Sequence, residues 1–416
     1  MKTKRWWVGV AAVAAVALVS TVAVDVGAGE AKKEEEGKRT APDIDQMTGK
    51  RLNEAIEFLN AEKFADAKAV LLKLNRDKLS PYELSRVEQM FASISNAEND
   101  YEGARKHLEG AVASGGLNDE EIQQARFQIA QLYIVQERWQ EGLNSLKQWF
   151  TTATNPNSSA FYLLAVCYYQ VNDHKAALTP AQKAVDMAES PQTSWLELLL
   201  ALRLENEQYQ EAVPLLERLI GQHPERKTYW VQLSGVQRQL EHYEYSLAAL
   251  QVAYYGGLIE SESDLRTLTE LQVFRDIPVR GAKLLEKLMT DKKLPSDEKT
   301  NDRLSQAWTA AREYEKAIPP LEKAAGFNPK GDLFVRAAQL RIQLEDWEGA
   351  SAALRRALEK GGLRDTGGTQ LLMGISLYNQ KKNNEALTWF ERARNDAKVR
   401  NQAEGWIRHI KQDQDA

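Results

Sequence analysis

Cysteine is nearly absent from this chain of 416 residues. Cys167 is the one cysteine, so no disulfide can form within the chain. The 24 glycines and 12 prolines are too few for a low-complexity protein. Alternating Val, Ile and Thr runs bounded by turns are scarce after residue 48, which argues against β-strands. The composition of 43% hydrophobic and 27% charged residues is ordinary for a soluble protein. With few strand signals, the body is predicted to be helical.

An excess of one charge is also lacking. The formal net charge of -5 is small for this length and argues against a nucleic-acid-binding protein, which would carry a basic stripe. The five histidines are dispersed, and none has a His or Cys at ligand spacing, so we expect no metal site. Phosphate loops and the HExxH and GxSxG motifs are missing. We therefore expect no enzyme activity and no cofactor, and we interpret Cys167 as a buried small hydrophobe.

The amino-terminal segment is the longest apolar stretch. Lys2, Lys4 and Arg5 precede residues 6–24, a run of 19 residues without a charge. This order is typical of an export signal, yet the run is long enough to cross a bilayer. Residues 1–28 are therefore either a cleaved signal peptide or an anchor, and they are the only expected membrane contact. The basic start favours a body outside the cytoplasm. Residues 29–47 are predicted to be a charged, flexible linker.

A repeating pattern of small residues follows. These residues recur every 33 to 38 positions: Ala67, Ala104, Gly142, Ala177, Ala212, Ser246, Gly281, Ala317, Ala350 and Ala386. Three residues before each, an aromatic is usual, as at Trp139, and four residues after each stands a leucine in most repeats, as at Leu146. A small side chain lets two helices approach closely, and the larger residues fill the space beside the contact.

The organising stretch is residues 229–253. Trp230, Leu233 and Ser234 have helical spacing, and Tyr243, Ser246 and later residues continue it after a corner. The pattern resembles the tetratricopeptide repeat. The resemblance implies an all-α fold, an α-solenoid of about ten helix-turn-helix units in a right-handed superhelix over residues 48–398. Because exposed ends of such arrays need a cover, residues 399–416 are predicted to form a capping helix and tail.

Paired glycines interrupt the pattern three times. Gly115-Gly116-Leu117, Gly256-Gly257-Leu258 and Gly361-Gly362-Leu363 each follow the end of a predicted second helix. Glycine adopts the left-handed conformation that ends a helix, so we interpret these pairs as helix caps. A second interpretation is that they mark changes of superhelical curvature.

In this fold the first helix of each repeat lines the concave side. Counting within each repeat gives these candidate partner-binding residues: Phe127, Gln131, Tyr162, Val166, Tyr169, Arg238, Arg266, Gln339 and Tyr378. Aromatics mixed with polar groups suit an extended peptide or a partner helix. The alternative is that several of them are core residues, because groove and core positions are neighbours on a helix.

A closer resemblance covers residues 229–289. Trp230-x-x-Leu233-Ser234, the Gly256-Gly257-Leu258 exit and the segment 278–286 (PVRGAKLLE) are similar to exported bacterial tetratricopeptide proteins that accompany TonB, ExbB and ExbD. This resemblance implies a periplasmic scaffold that assists TonB-dependent uptake, with proteins of that kind as partners. It carries over no binding residue. The alternative is an assembly factor or chaperone for outer-membrane or polysaccharide-secretion machinery.

Overall fold

The computed structural model describes residues 44–275 and 277–415. Within these residues all regular structure is helical, with one short 3-10 helix at Arg76–Lys78 and no strand. The predicted targeting segment, residues 1–28, lies outside the described residues. Residues 29–43 of the predicted linker also lie outside them. Across the described ranges, no helix combines the length and the apolar character that a membrane span requires.

Two compact units divide the chain after Leu215. In the first unit the helices are α1 (Gln46–Asn60), α2 (Phe64–Leu71), α3 (Pro81–Ala97), α4 (Tyr101–Ala113), α5 (Asp119–Val135), α6 (Trp139–Phe150), α7 (Ser158–Gln170), α8 (His174–Asp186) and α9 (Thr193–Glu205). The boundary falls inside α10 (Tyr209–Gln222).

The second unit is also built from consecutive helices. Its helices are α11 (Lys227–Gln239), α12 (Tyr243–Tyr255), α13 (Glu262–Phe274), α14 (Pro278–Thr290), α15 (Glu298–Ala310), α16 (Tyr314–Phe327), α17 (Asp332–Gln343), α18 (Trp347–Lys360), α19 (Thr366–Asn379), α20 (Asn383–Ala393) and α21 (Arg400–Asp415). The all-helical hairpin architecture is thereby confirmed, whereas the handedness of the superhelix stays a prediction.

The small residues set the register of every hairpin. Each even-numbered helix from α2 to α20 begins three residues before its small residue, as α2 does at Phe64 before Ala67. All ten small residues are buried. At the hairpin of α11 and α12 both close-contact residues are serines, and the hydroxyls of Ser234 and Ser246 lie 2.8 Å apart in a hydrogen bond. The small side chain thus sits where the two helices of each hairpin meet.

Within the described residues, the turns inside nine of the hairpins use a left-handed residue that is not glycine. The residue after it hydrogen-bonds back to the end of the first helix. In the first hairpin the N–H of Lys63 donates to the carbonyl of Phe58 at 2.8 Å, which caps that helix. The left-handed residues, with φ between 56° and 63°, are Glu62, Asn99, Glu137, Asn172, Glu207, Glu241, Arg312, Glu345 and Lys381.

Loop residues fix where the helices between hairpins begin and end. Ser80 and Glu83 form a reciprocal capping box at the start of α3, and Asn118 and Glu121 form another at the start of α5. Gly115, with φ of 73°, follows α4 in the left-handed conformation, and the other two glycine pairs also contain left-handed glycines. The interpretation of these pairs as helix caps is confirmed.

The core is a series of small clusters in chain order. The main helix contacts run between consecutive helices in each unit. In the second unit one cluster joins α13 to α17, and the next joins α17 to α21. At the end of the row, Ile410 of α21 is fully buried, and the ring of Trp406 lies parallel to that of Phe390 at 5.6 Å. Within each unit, hairpins therefore bury their apolar faces against neighbouring hairpins.

Candidate interaction surfaces

A row of aromatic side chains lies on the first helices of the first unit. Phe127 is on α5, and Tyr162 and Tyr169 are on α7; all three are half-buried. The ring of Phe127 contacts that of Trp149 at 4.8 Å, and Tyr169 stacks on His174 at 5.0 Å. Because each ring contacts another ring, packing fixes the orientation of these side chains.

Tyr162 is the best-defined member of that row. Its ring stacks on Trp195 of α9, with centroids 5.2 Å apart and an angle of 20° between the planes. Burial raises the pKa of Tyr162, a hydrogen bond with the Ser194 side chain opposes the shift, and the Glu197 charge adds to it. The phenol therefore stays neutral near pH 7.

The other two predicted residues of this unit differ in exposure. Gln131 is half-buried on α5, one turn after Phe127, whereas Val166 on α7 is only 7% exposed. Val166 thus lies inside the helix packing, between Tyr162 and Tyr169 along the same face of α7. The structure places all five predicted residues on two first helices of one unit, and their part in binding stays a prediction.

The four predicted residues of the second unit lie on four different helices. Arg238 on α11 and Gln339 on α17 are exposed. Tyr378 on α19 is half-buried: its hydroxyl lies 3.0 Å from His409 Nε2, and its ring centroid is 5.1 Å from that of Trp406. Part of the Tyr378 surface is therefore already covered by α21.

Arg266, the fourth of these residues, is buried rather than open to a partner. Its Nε donates to Glu262 Oε1 at 2.8 Å, and its Nη2 donates to Thr300 Oγ1 at 2.7 Å and to Asp297 Oδ2 at 3.4 Å. The guanidinium thus joins α13 to the start of α15. A planar, forked donor suits such a junction because it satisfies several acceptors at once.

Two further ion pairs connect first helices one repeat apart. Arg303 of α15 pairs with Glu270 of α13, and Arg336 Nη1 of α17 lies 2.8 Å from Asp302 Oδ1 of α15. Burial and the nearby charge of Arg266 lower the pKa of Arg303. Sequence reasoning missed these pairs, although basic and acidic residues 33 or 34 positions apart were a usable signal in a repeat of that period.

An open cavity of about 480 Å³ lies between α4, α5 and α6 in the first unit. Its lining is mixed: Glu109, Val112, Ala113, Arg126, Ile129, Tyr133, Glu141, Asn144, Ser145 and Gln148. The guanidinium groups of Arg105 and Arg138 both lie over the ring of Tyr133, at 5.3 and 4.8 Å from its centroid. Sequence reasoning considered only first-helix faces and so missed this cavity, which borders two second helices.

Residues 44–275 and 277–415 contain no group of three or more His, Cys, Asp or Glu side chains placed to hold a metal ion. Cys167 is fully buried, which confirms its interpretation as a core residue. It packs in the cluster of α5, α6 and α7.

We expect Cys167 to be unreactive in the folded chain. Burial raises the pKa of its thiol to about 12. At pH 8 only about one thiol in ten thousand would then be the reactive thiolate. Treatment of the native protein with Ellman's reagent should release no colour over an hour, and one equivalent should appear after unfolding in guanidinium chloride. Full reaction within minutes without denaturant would contradict this burial.

Comparison with known proteins identifies the repeat. The tetratricopeptide repeat family model matches residues 127–192 and 335–399. A search of curated proteins finds no match.

Solved structures resemble parts of the chain at low identity. YrrB, described as a TPR protein with an unusual peptide-binding site, is 20% identical over 40% of this chain and 83% of its own, with a TM-score of 0.35. A MamA fragment from Desulfovibrio magneticus RS-1 is 21% identical over 42% of this chain and 95% of its own, with a TM-score of 0.32. The C-terminal part of a TPR repeat-containing protein from Cytophaga hutchinsonii is 14% identical over 58% and 98%, with a TM-score of 0.39. The family model matches one stretch in each unit, so tetratricopeptide repeats are identified at residues 127–192 and 335–399.

Proposed function

We propose that this chain is a non-enzymatic protein-binding scaffold. The observation that carries the proposal is the aromatic row of Phe127, Tyr162 and Tyr169 on α5 and α7. Tyrosine and tryptophan are frequent anchors at protein interfaces because they bury a large area at little entropic cost. The half-buried rings leave an edge for a partner, and their contacts with the rings of Trp149, Trp195 and His174 fix them before binding.

We further propose a place for the scaffold in the bacterial cell envelope. The basic start and the 19 uncharged residues 6–24 favour export, with the body in the periplasm, free or anchored to the inner membrane. The similarity of residues 229–289 to tetratricopeptide proteins of TonB systems suggests partners of the TonB, ExbB and ExbD type. In that role the chain would assist an energy-transduction complex in TonB-dependent uptake.

A double substitution of the aromatic row tests this proposal. With Tyr162→Ala and Tyr169→Ala, we expect recovery of ExbB-, ExbD- or TonB-type proteins with the full chain to fall at least about tenfold, since anchor residues contribute most of the binding energy. The measurement is affinity purification from detergent-solubilised envelopes, followed by quantitative mass spectrometry.

Tyr168→Ala is the matched control, because Tyr168 is on the same helix but packs against the core cluster of α5, α6 and α7. It should retain the partners. An equal loss in both variants would place the effect in stability rather than in binding. Recovery of outer-membrane assembly or polysaccharide-secretion proteins in place of a TonB system would replace the envelope role with that of an assembly factor.

A further inference from the structure

The outward face of α12 is apolar and exposed. Tyr245, Val252 and Tyr255 are 60%, 52% and 79% exposed, and Ala248 between them is exposed too. Their spacing of three, four and three residues places them on one side of the helix. The stripe from Tyr245 to Tyr255 extends about 15 Å, or three helical turns. The rings of Tyr245 and Tyr255 make edge contacts with His242 and Tyr254, and most of their surface stays exposed.

Comparison among the repeats shows that this face is an exception. Val252 stands six residues after the small residue of its helix. At the same position six other second helices carry an exposed basic residue: Lys183, Arg218, Lys287, Lys323, Arg356 and Arg392. At the position of Tyr255 none of these six helices has an apolar side chain. The repeat therefore places solvated side chains on this face elsewhere, and the apolar stripe on α12 is not a requirement of the fold.

A basic row lies beside the stripe, on α14. The two helices are neighbours, because Leu284 of α14 packs on the cluster of α12 and α13, and Tyr254 of α12 packs on the cluster that contains Ala282. Arg280, Lys283 and Lys287 are exposed on α14 at the positions equivalent to Tyr245, Ala248 and Val252.

Two carboxylates near this row are engaged elsewhere. Glu286 accepts a hydrogen bond from Trp308 Nε1 at 2.9 Å, and Glu244 lies 3.8 Å from Arg275. Among the described residues, Arg280, Lys283 and Lys287 have no ion pair with an acidic side chain. The basic row is therefore available to an acidic partner.

We propose that the α12 stripe and the α14 basic row form a docking surface for an amphipathic helix of another protein. Its apolar face covers Tyr245, Val252 and Tyr255, and its acidic edge pairs with the α14 row. Charge complementarity selects this occupant: the basic residues flank the stripe on the α14 side, which matches a helix with one acidic edge. An anionic bilayer would favour bulkier apolar residues than Ala248. The inference rests on the proposed scaffold function and adds a second surface to it.

The test uses the full chain and a fluorescent synthetic helix of about 18 residues, with leucines on one face and glutamates along one edge. Fluorescence anisotropy measures the affinity. Val252→Lys, which gives α12 the residue type of the other repeats, should weaken binding at least tenfold, as should the pair Lys283→Glu and Lys287→Glu. Val252 is exposed, so Val252→Lys should leave the circular dichroism spectrum and the melting temperature unchanged. Lys323→Val is the matched control on α16 and should bind as wild type does.

Four outcomes would overturn the proposal. The first is that wild type and Val252→Lys bind the probe with equal affinity, and the second is that a probe with lysines in place of glutamates binds equally well. The third is that the chain binds anionic phosphatidylglycerol vesicles but not the probe. The fourth is that the chain self-associates in sedimentation equilibrium and that Val252→Lys abolishes this self-association. The Tyr162→Ala and Tyr169→Ala variant should still bind this probe. Loss of TonB-type partners in that variant with retained probe binding therefore separates the two proposals.

Discussion

Truncation of Phe390 to alanine is expected to lower the free energy of unfolding of the second unit by about 3–5 kcal/mol. Phe390 is fully buried, and its ring lies parallel to that of Trp406 in α21. On its other side it lies against α19, where a methyl group added at Gly374 would come within 2.5 Å of Phe390 Cε1. One ring thus holds three helices together, and its removal leaves a cavity that they cannot easily close.

Urea denaturation followed by circular dichroism measures this loss. Thr388→Ala is the control, because Thr388 is exposed on the same helix and its replacement should change the stability by less than about 0.5 kcal/mol. A loss below about 1 kcal/mol for Phe390→Ala would mean that α21 is not packed on α20 as described.

The second large effect is expected from Gly116→Ala. Its new Cβ would lie 2.1 Å from the carbonyl oxygen of Pro81 and 2.5 Å from the Cα of Tyr82. Both atoms belong to the backbone of the first turn of α3, which cannot rotate away as a side chain could. We expect a destabilisation of the first unit by about 2–3 kcal/mol, the usual cost of an overpacked site.

Gly235→Ala is the control for Gly116→Ala, and its expected effect on stability has the opposite sign. Gly235 is inside α11, and a Cβ there meets no atom within 4 Å. Because alanine favours a helix interior, this substitution should raise the stability by about 0.5–1 kcal/mol. Thermal unfolding of both variants decides the matter, and a neutral Gly116→Ala would show that the loop after α4 does not approach α3 this closely.

The hairpin register was predictable because its signal is local. Trp139, Gly142 and Leu146 lie within three turns of one helix, and the same spacing recurs in most hairpins. The turns were not predictable from glycine content, because Glu62 and its equivalents adopt the left-handed conformation without glycine. There the closing hydrogen bonds to the first helix decide the backbone, and the side chain gives no signal.

The candidate surfaces were predictable only in part. Position within the repeat placed Tyr162 and Tyr169 on one face, but it could not show that Arg266 lies buried among acceptors on α13 and α15. The burial of Arg266 depends on its hydrogen bond to Thr300, 34 residues away, and on how closely neighbouring helices approach. Tyr245, Ala248 and Val252 of the α12 stripe lie within residues 229–253, but the repeat pattern is defined by buried positions and gives no signal for an exposed apolar residue.

Hydrogen exchange with mass spectrometry on Phe390→Ala tests most directly whether the chain is a row of hairpins, each stabilised mainly by its neighbours. In such a row damage stays near its origin. Amides of α19, α20 and α21 should exchange faster than in the wild type, and amides of α1 to α8 should exchange at unchanged rates. An equal acceleration throughout both units would contradict this architecture.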